Sequence, residues 1–249
     1  MTPDLSRRAV AEAVGTAMLV LAVIGSGIAA SRLSTDGGLQ LLANAAATAG
    51  ALIAIILAVG PVSGAHLNPV VTLADRVLGG LTTAEAWVYV GAQVVGGAVG
   101  AVVANVMFGL PAVELSTHAR SSGALWTSEV VATFGLLLVI FGVVRSGRST
   151  VAPFAVAAYI GGAYFFTSST SFANPAVTLA RTLSDTFAGI EPASVPAFVV
   201  AQLLGAGLAI ALVRLLYPDI ADSASAVVLP HPVTESDPGA ARGRDHTST

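Results

Sequence analysis

Two stretches, Asn68-Pro69-Val70-Val71-Thr72-Leu73-Ala74 and Asn174-Pro175-Ala176-Val177-Thr178-Leu179-Ala180, are identical except at their third residue. Each reads as a helix start. Asn is a favoured N-cap, Pro suits the first helical position, where no backbone donor is needed, and Val-Thr-Leu-Ala continues a short helix. The blocks lie in segments Pro61 to Leu78 and Ser169 to Leu183, too short and too polar at one end to cross a bilayer. Around them are apolar runs of about 20 residues, enough to cross: Ala9 to Ala30, Leu41 to Val59, Ala84 to Phe108, Leu125 to Val144, Val151 to Ser168 and Val195 to Leu216.

Composition agrees with a membrane protein. Charged residues are 10% and hydrophobic residues 55% of the 249, and the mean hydropathy is +0.82, so most of the surface must face lipid. All 11 basic residues are Arg, and a net charge of −3 is too small and scattered to suggest a nucleic-acid partner. Without Cys there are no disulfides, thiolate metal sites or cysteine nucleophiles. No other metal or cofactor site is expected. No Ser, His and acid group converges either, since His66 and His118 fall on opposite membrane faces, so an enzyme is not expected. The first run follows Arg7 and Arg8 but is too long for a signal peptide and carries Glu12, so it reads as retained.

The repeat extends beyond the Asn-Pro blocks. Glu12-Ala-Val-Gly-Thr16 matches Glu129-Val-Val-Ala-Thr133, and Ala92-Gln93-Val-Val-Gly96 matches Ala201-Gln202-Leu-Leu-Gly205. Each half, about 9–108 and 125–216, is three spans and a half-span. Three being odd, the second half enters from the opposite face, which makes inverted repeats and brings the half-helices together N-terminus to N-terminus. The expected fold is an all-α membrane protein of six transmembrane helices and two re-entrant half-helices. With the N-terminus inside, Arg7, Arg8, Arg76, Arg145, Arg148 and Arg214 lie inside and Arg32, Arg120 and Arg181 outside, which favours cytoplasmic termini. Residues 1–8 are then a cytoplasmic N-terminus, 9–217 a channel domain, and 218–249 a disordered cytoplasmic tail.

A helix N-terminus carries roughly half a positive charge, so two that face each other repel cations at the centre of the molecule. Asn68 and Asn174 can donate there to a neutral oxygen. Non-helical backbone at membrane depth must be buried or line a wet cavity. The carbonyls of Gly64, Ala65 and His66 and of Thr170, Ser171 and Phe172 are accordingly expected to form an acceptor ladder on one wall. Glu12 and Glu129 are functional candidates by default inside spans, either for proton coupling, as in an ion-coupled transporter, or as acceptors for re-entrant backbone donors.

From about Arg7 to Leu216 the chain resembles the aquaporin and glycerol-facilitator family, the major intrinsic proteins, through Ser63-Gly64-Ala65-His66-Leu67-Asn68-Pro69, Phe172-Ala173-Asn174-Pro175-Ala176 and the paired Glu and Gln positions. The resemblance implies a passive channel in the cell (inner) membrane, usually four channels per homotetramer. Asn68, Pro69, Val70, Asn174, Pro175 and Ala176 would then form the central motifs, and Glu12, Glu129, Gln93 and Gln202 would brace the loops. His66 either braces the inner segment or shapes the cytoplasmic side of the pore.

Counting from the two Asn residues, the resemblance places the outer filter at Thr48, Gly162, Ser171 and Val177. Most members carry Arg where this chain has Val177, so a wide, uncharged constriction is expected. Arg181, about 6 Å further out, is expected in the vestibule, capping the C-terminal end of its half-helix. The stretch Phe165 to Val177 resembles a bacterial subgroup associated with arsenic handling. The implied solutes are trivalent arsenicals such as arsenite, polyols like glycerol, and water; the alternatives are a water-selective channel, a glycerol or urea facilitator, or an ion-coupled secondary transporter.

Overall fold

The computed structural model describes residues 3–218. Past Pro218, the expected tail lies outside the described residues. Eight α-helices follow one another, with no strand among the described residues: α1 Leu5–Leu33, α2 Gly37–Ser63, α3 Pro69–Leu78, α4 Thr83–Met107, α5 Gly123–Arg145, α6 Ala152–Phe166, α7 Pro175–Ala180 and α8 Val195–Leu216. Short side chains start the long helices. The oxygens of Asp4, Asp36, Thr82 and Ser122 accept from the backbone N–H of Arg7, Leu39, Glu85 and Leu125 and satisfy donors that a first turn leaves open. Six helices, two of them counted with the 3₁₀ turn that leads in, are long and apolar enough to cross a membrane. Large apolar side chains such as Val95, Val99, Phe166 and Leu204 remain outward on these helices, as contact with hydrocarbon requires.

One boundary differs from the sequence reading. The second span does not stop at Val59 but continues through Pro61 to Ser63 and leaves the helix at Gly64, in the left-handed region at φ 85°. A proline this close to a helix end removes one hydrogen bond without breaking the rod, so the non-helical segment begins at Gly64.

The helices α1 to α4 and α5 to α8 form two equivalent sets. In the first, α1 packs on α2 and α4; in the second, α5 packs on α6 and α8. The half-helices α3 and α7 each touch both α4 and α8, so they are held where the two sets meet. Backbone approaches within each set are too close for any side chain. A Cβ on Gly96 would collide with the carbonyl of Ala13, beside Glu12, and one on Gly205 with the carbonyl of Val130, beside Glu129. The repeated Gln-x-x-Gly is therefore a packing device that brings each Gln against the helix bearing its Glu. Gly96→Val should push α4 off α1 at an overpacking cost of about 1–3 kcal/mol. Its melting temperature in detergent should fall well below that of Gly91→Val, whose added carbons enter open space on the same helix; equal melting would contradict the close-approach argument.

Candidate functional site

The site begins with the caps. Asn68 Oδ1 accepts from the N–H of Val70 at 3.0 Å. Asn174 Oδ1 accepts from the N–H of Ala176 at 3.0 Å and of Val177 at 3.2 Å. With each oxygen turned into its own helix, the amide nitrogens reach across. Asn68 Nδ2 donates to the Ala173 carbonyl at 2.8 Å and Asn174 Nδ2 to the Leu67 carbonyl at 2.8 Å. An amide NH₂ has two donors. One from each Asn thus ties the half-helices together, and the other is left for the cavity that both side chains line.

The segments before the caps are strained and tightly held. Ala65 and Leu67 sit at φ 49° and 53°, and Thr170, Ser171 and Ala173 at φ 63°, 52° and 46°, each at a cost of about 1 kcal/mol or more for a non-glycine residue. Buried carboxylates offset that cost. Glu12 Oε1 accepts from Ser63 Oγ (2.6 Å) and His66 N (2.9 Å), and Oε2 from Leu67 N (2.7 Å) and Gln93 Nε2 (2.8 Å). Glu129 repeats the pattern with Ser169 Oγ (2.7 Å), Phe172 N (2.9 Å), Ala173 N (2.9 Å) and Gln202 Nε2 (2.6 Å). Gln93 and Gln202 also donate to Thr72 and Thr178 of the half-helices, both at 2.9 Å. With the backbone N–H groups turned back to carboxylates, the carbonyls turn the other way. Among the described residues no donor reaches the carbonyl oxygens of Ala65, Ser171 or Phe172.

These residues line a cavity of about 640 Å³, including space open to solvent. Its remaining wall is mostly aliphatic, with Leu19, Val23 and Leu52 from the first set and Leu136, Ile140 and Val156 from the second. Gly64 and Thr170 lie outside this wall, while Ala65, His66, Ser171 and Phe172 belong to it. Thr48, Ser171 and Val177 line it too; Gly162 does not. Gly162 is on the exposed face of α6, and it is Tyr164 of the same helix that lines the cavity, with its hydroxyl 3.2 Å from Thr48 Oγ1. The correction has a simple cause. Two positions along an α-helix are about 200° of rotation, so a count along the chain that is off by two exchanges an inward residue for an outward one. Ser171 Oγ is buried and has no hydrogen-bond partner among the described residues.

Arg181 also departs from the sequence reading. Its Cα is one turn beyond Val177, but helical side chains lean back toward the helix N-terminus, and its residue is only 3% exposed and lines the cavity. The helix tightens into the 3₁₀ turn Arg181–Leu183 at this point. The guanidinium lies over the Phe172 ring, 3.4 Å from its centroid, and donates from Nε to the Ala188 carbonyl rather than capping α7. Arg120, 5.2 Å from the centroid of the same ring, donates from Nε to the Gly189 carbonyl at 2.8 Å.

Sequence reasoning missed two further clusters. At the α3 end, His66 lines the cavity with Nδ1 3.1 Å from Thr72 Oγ1 and Nε2 3.7 Å from the buried Asp75 carboxylate, edge-on to Tyr89. Both roles open to His66, bracing and lining, thus fall on one ring. Arg8 donates to the Tyr89 hydroxyl (2.7 Å) and to Glu85 (2.6 Å), and that hydroxyl donates to the Ser63 carbonyl (2.9 Å). At the α7 end, the segment before α5 is bound to the segment after α7 through Ser116 N to the Thr182 carbonyl (2.9 Å) and Glu191 N to the His118 carbonyl (2.8 Å). Asp185 accepts there from Thr117 N at 2.8 Å, a bond that holds its carboxyl below the usual range. A helical period cannot reveal such contacts between irregular segments.

Six spans, two half-helices meeting at capped N-termini and a lined cavity between them define a membrane channel. The chain belongs to the major intrinsic protein family, whose model matches residues 1–172 and 150–239, and it is a channel for water or small solutes. It is 50% identical over 213 residues to Aquaglyceroporin AqpS of Rhizobium meliloti (strain 1021), covering 86% of this chain and 91% of that protein. It is 32% identical to Probable aquaporin TIP1-2 of Oryza sativa subsp. japonica, over 64% of this chain and 67% of that one. The solved aquaglyceroporin from Plasmodium falciparum superposes with a TM-score of 0.67 over 87% of this chain and 99% of that one, at 19% identity, a likeness of fold.

Proposed function

We propose that this channel passes small uncharged hydroxylated solutes: water, polyols such as glycerol, and trivalent arsenicals such as arsenite. The cavity wall carries the reading. One strip offers carbonyl acceptors and a spare amide donor from each Asn, and the rest is mostly aliphatic, with the side chains of Thr48, His66, Tyr164 and Arg181 among it. A neutral solute can exchange water for these groups at little desolvation cost, whereas an ion meets two helix N-termini and a wall that cannot solvate it. Arsenite at neutral pH is an uncharged tris-hydroxyl molecule, close to glycerol in its hydrogen bonding. A relative named as an aquaglyceroporin at 50% identity supports the wider solute class over water alone.

In this reading the central motifs are Asn68, Pro69, Val70, Asn174, Pro175 and Ala176, and the outer constriction is built from Thr48, Tyr164, Ser171 and Val177. The protein sits in the cell membrane with both termini cytoplasmic, following the Arg distribution, and assembles as a homotetramer through its outward apolar faces. Proteoliposomes carrying the wild-type protein should swell with water, glycerol and arsenite, at rates linear in concentration and indifferent to a proton gradient. Water flow without glycerol or arsenite flow would make it a water channel instead.

A further inference from the structure

The charged group nearest the solute path is not one of the four positions counted from the Asn residues. Arg181 is almost fully buried, lines the cavity, and forms no ion pair with a carboxylate among the described residues. The Glu129 carboxylate behind the Phe172 backbone is already engaged by four donors. Leaving a guanidinium uncompensated at this depth is costly, and the surroundings fix its position rather than neutralise it. The Phe172 ring supports its face, and the Ala188 carbonyl takes its Nε proton. No acceptor among the described residues takes the Nη protons.

Three hydroxyl groups line the same cavity: Ser171 Oγ, buried with no partner among the described residues, and the Thr48 and Tyr164 pair. The Nη protons are parallel donors in a rigid fork, and the orphaned Ser171 hydroxyl can both donate and accept. We propose that Arg181, with Ser171 and the Thr48–Tyr164 pair, forms an oxygen-binding site at the outer constriction that selects solutes with several hydroxyl or oxo groups over equally small solutes with fewer. The inference rests on the cavity being the solute path. It assigns selection to a residue that enters from the 3₁₀ turn beyond α7, held by an aromatic ring, and so makes the constriction charged despite Val177.

The test compares channel-mediated flux of glycerol with that of propane-1,3-diol, a similar chain lacking the middle hydroxyl, after subtraction of the empty-liposome rate. A site built to bond an oxygen discriminates strongly against an analogue that lacks it. The glycerol-to-diol ratio should therefore fall about tenfold in Arg181→Met, which keeps length and removes the fork. Arg181→Lys keeps charge without the planar fork and should give an intermediate ratio. A ratio in Arg181→Met equal to that of wild type overturns the proposal; should that variant fail to insert, a wild-type ratio in Arg181→Lys does the same. Wild-type protein that carries neither solute would sink the channel reading first and the site with it, an outcome distinct from an unchanged ratio in an active channel.

Discussion

Glu129→Ala should leave little folded protein in the membrane. The carboxylate accepts from Ser169 Oγ, Phe172 N, Ala173 N and Gln202 Nε2, and an unsatisfied buried donor costs ~1–3 kcal/mol. Four such donors exceed the reserve of a marginally stable fold, and no water is at hand in the bilayer interior to replace the lost acceptor. Ser171 and Ala173 would also lose what holds them at positive φ. Monodisperse yield and melting temperature in detergent should both fall steeply. Glu129→Gln keeps the shape and one acceptor, so it should be less severe and its residual flux should not follow a pH gradient. Uptake driven by such a gradient and abolished in Glu129→Gln would instead favour an ion-coupled transporter.

Val177→Arg is the second large effect. Val177 lines the cavity one turn below Arg181 on the same face of the chain. A second guanidinium there would fill space beside Tyr164 and Thr48 and place like charges at i and i+4, an unfavourable spacing even on exposed helices. Glycerol and arsenite flux should drop by roughly a hundredfold, as expected from steric closure and the loss of a few kcal/mol of favourable entry, while water flow persists at a reduced level. Swelling assays with water, glycerol, urea and arsenite on both proteins would measure it. Glycerol flux equal to that of wild type would mean that the constriction lies elsewhere.

Much of this architecture is legible in the sequence because its determinants are local or repeated. The caps at Asn68 and Asn174 are set by adjacent residues, and the duplicated Glu and Gln positions announce a common structural task before any contact is known. Gly96 and Gly205 belong to that repeat, although only the helix approach shows what they do. The cavity wall beside α6 and α7 is less legible. A count from Asn174 does not fix the phase of α6, because the path from Thr167 to Ala173 passes through three non-glycine residues at positive φ, so the count reaches Gly162 whereas Tyr164 faces the cavity. For Arg181, the position of Cα along the helix was readable, but the direction of a long side chain was decided by Phe172 and Ala188, which no periodicity brings together.

The half-helices are equivalent in the repeat but unequal in build. Both are packed against α4 and α8, but α3 runs 10 residues, whereas α7 runs only 6 before giving way to a 3₁₀ turn bound to the irregular segment ahead of α5. The end of the passage beyond α7 is therefore shaped in part by irregular segments. Exchanges around 111–120 and 181–191 must keep the bonds that tie these segments to α4, from Asn105 to the Ala112 and Leu183 carbonyls and from Ser184 to Asn105, so grafting both segments together from a relative with another solute preference is the economical route to a channel of new selectivity.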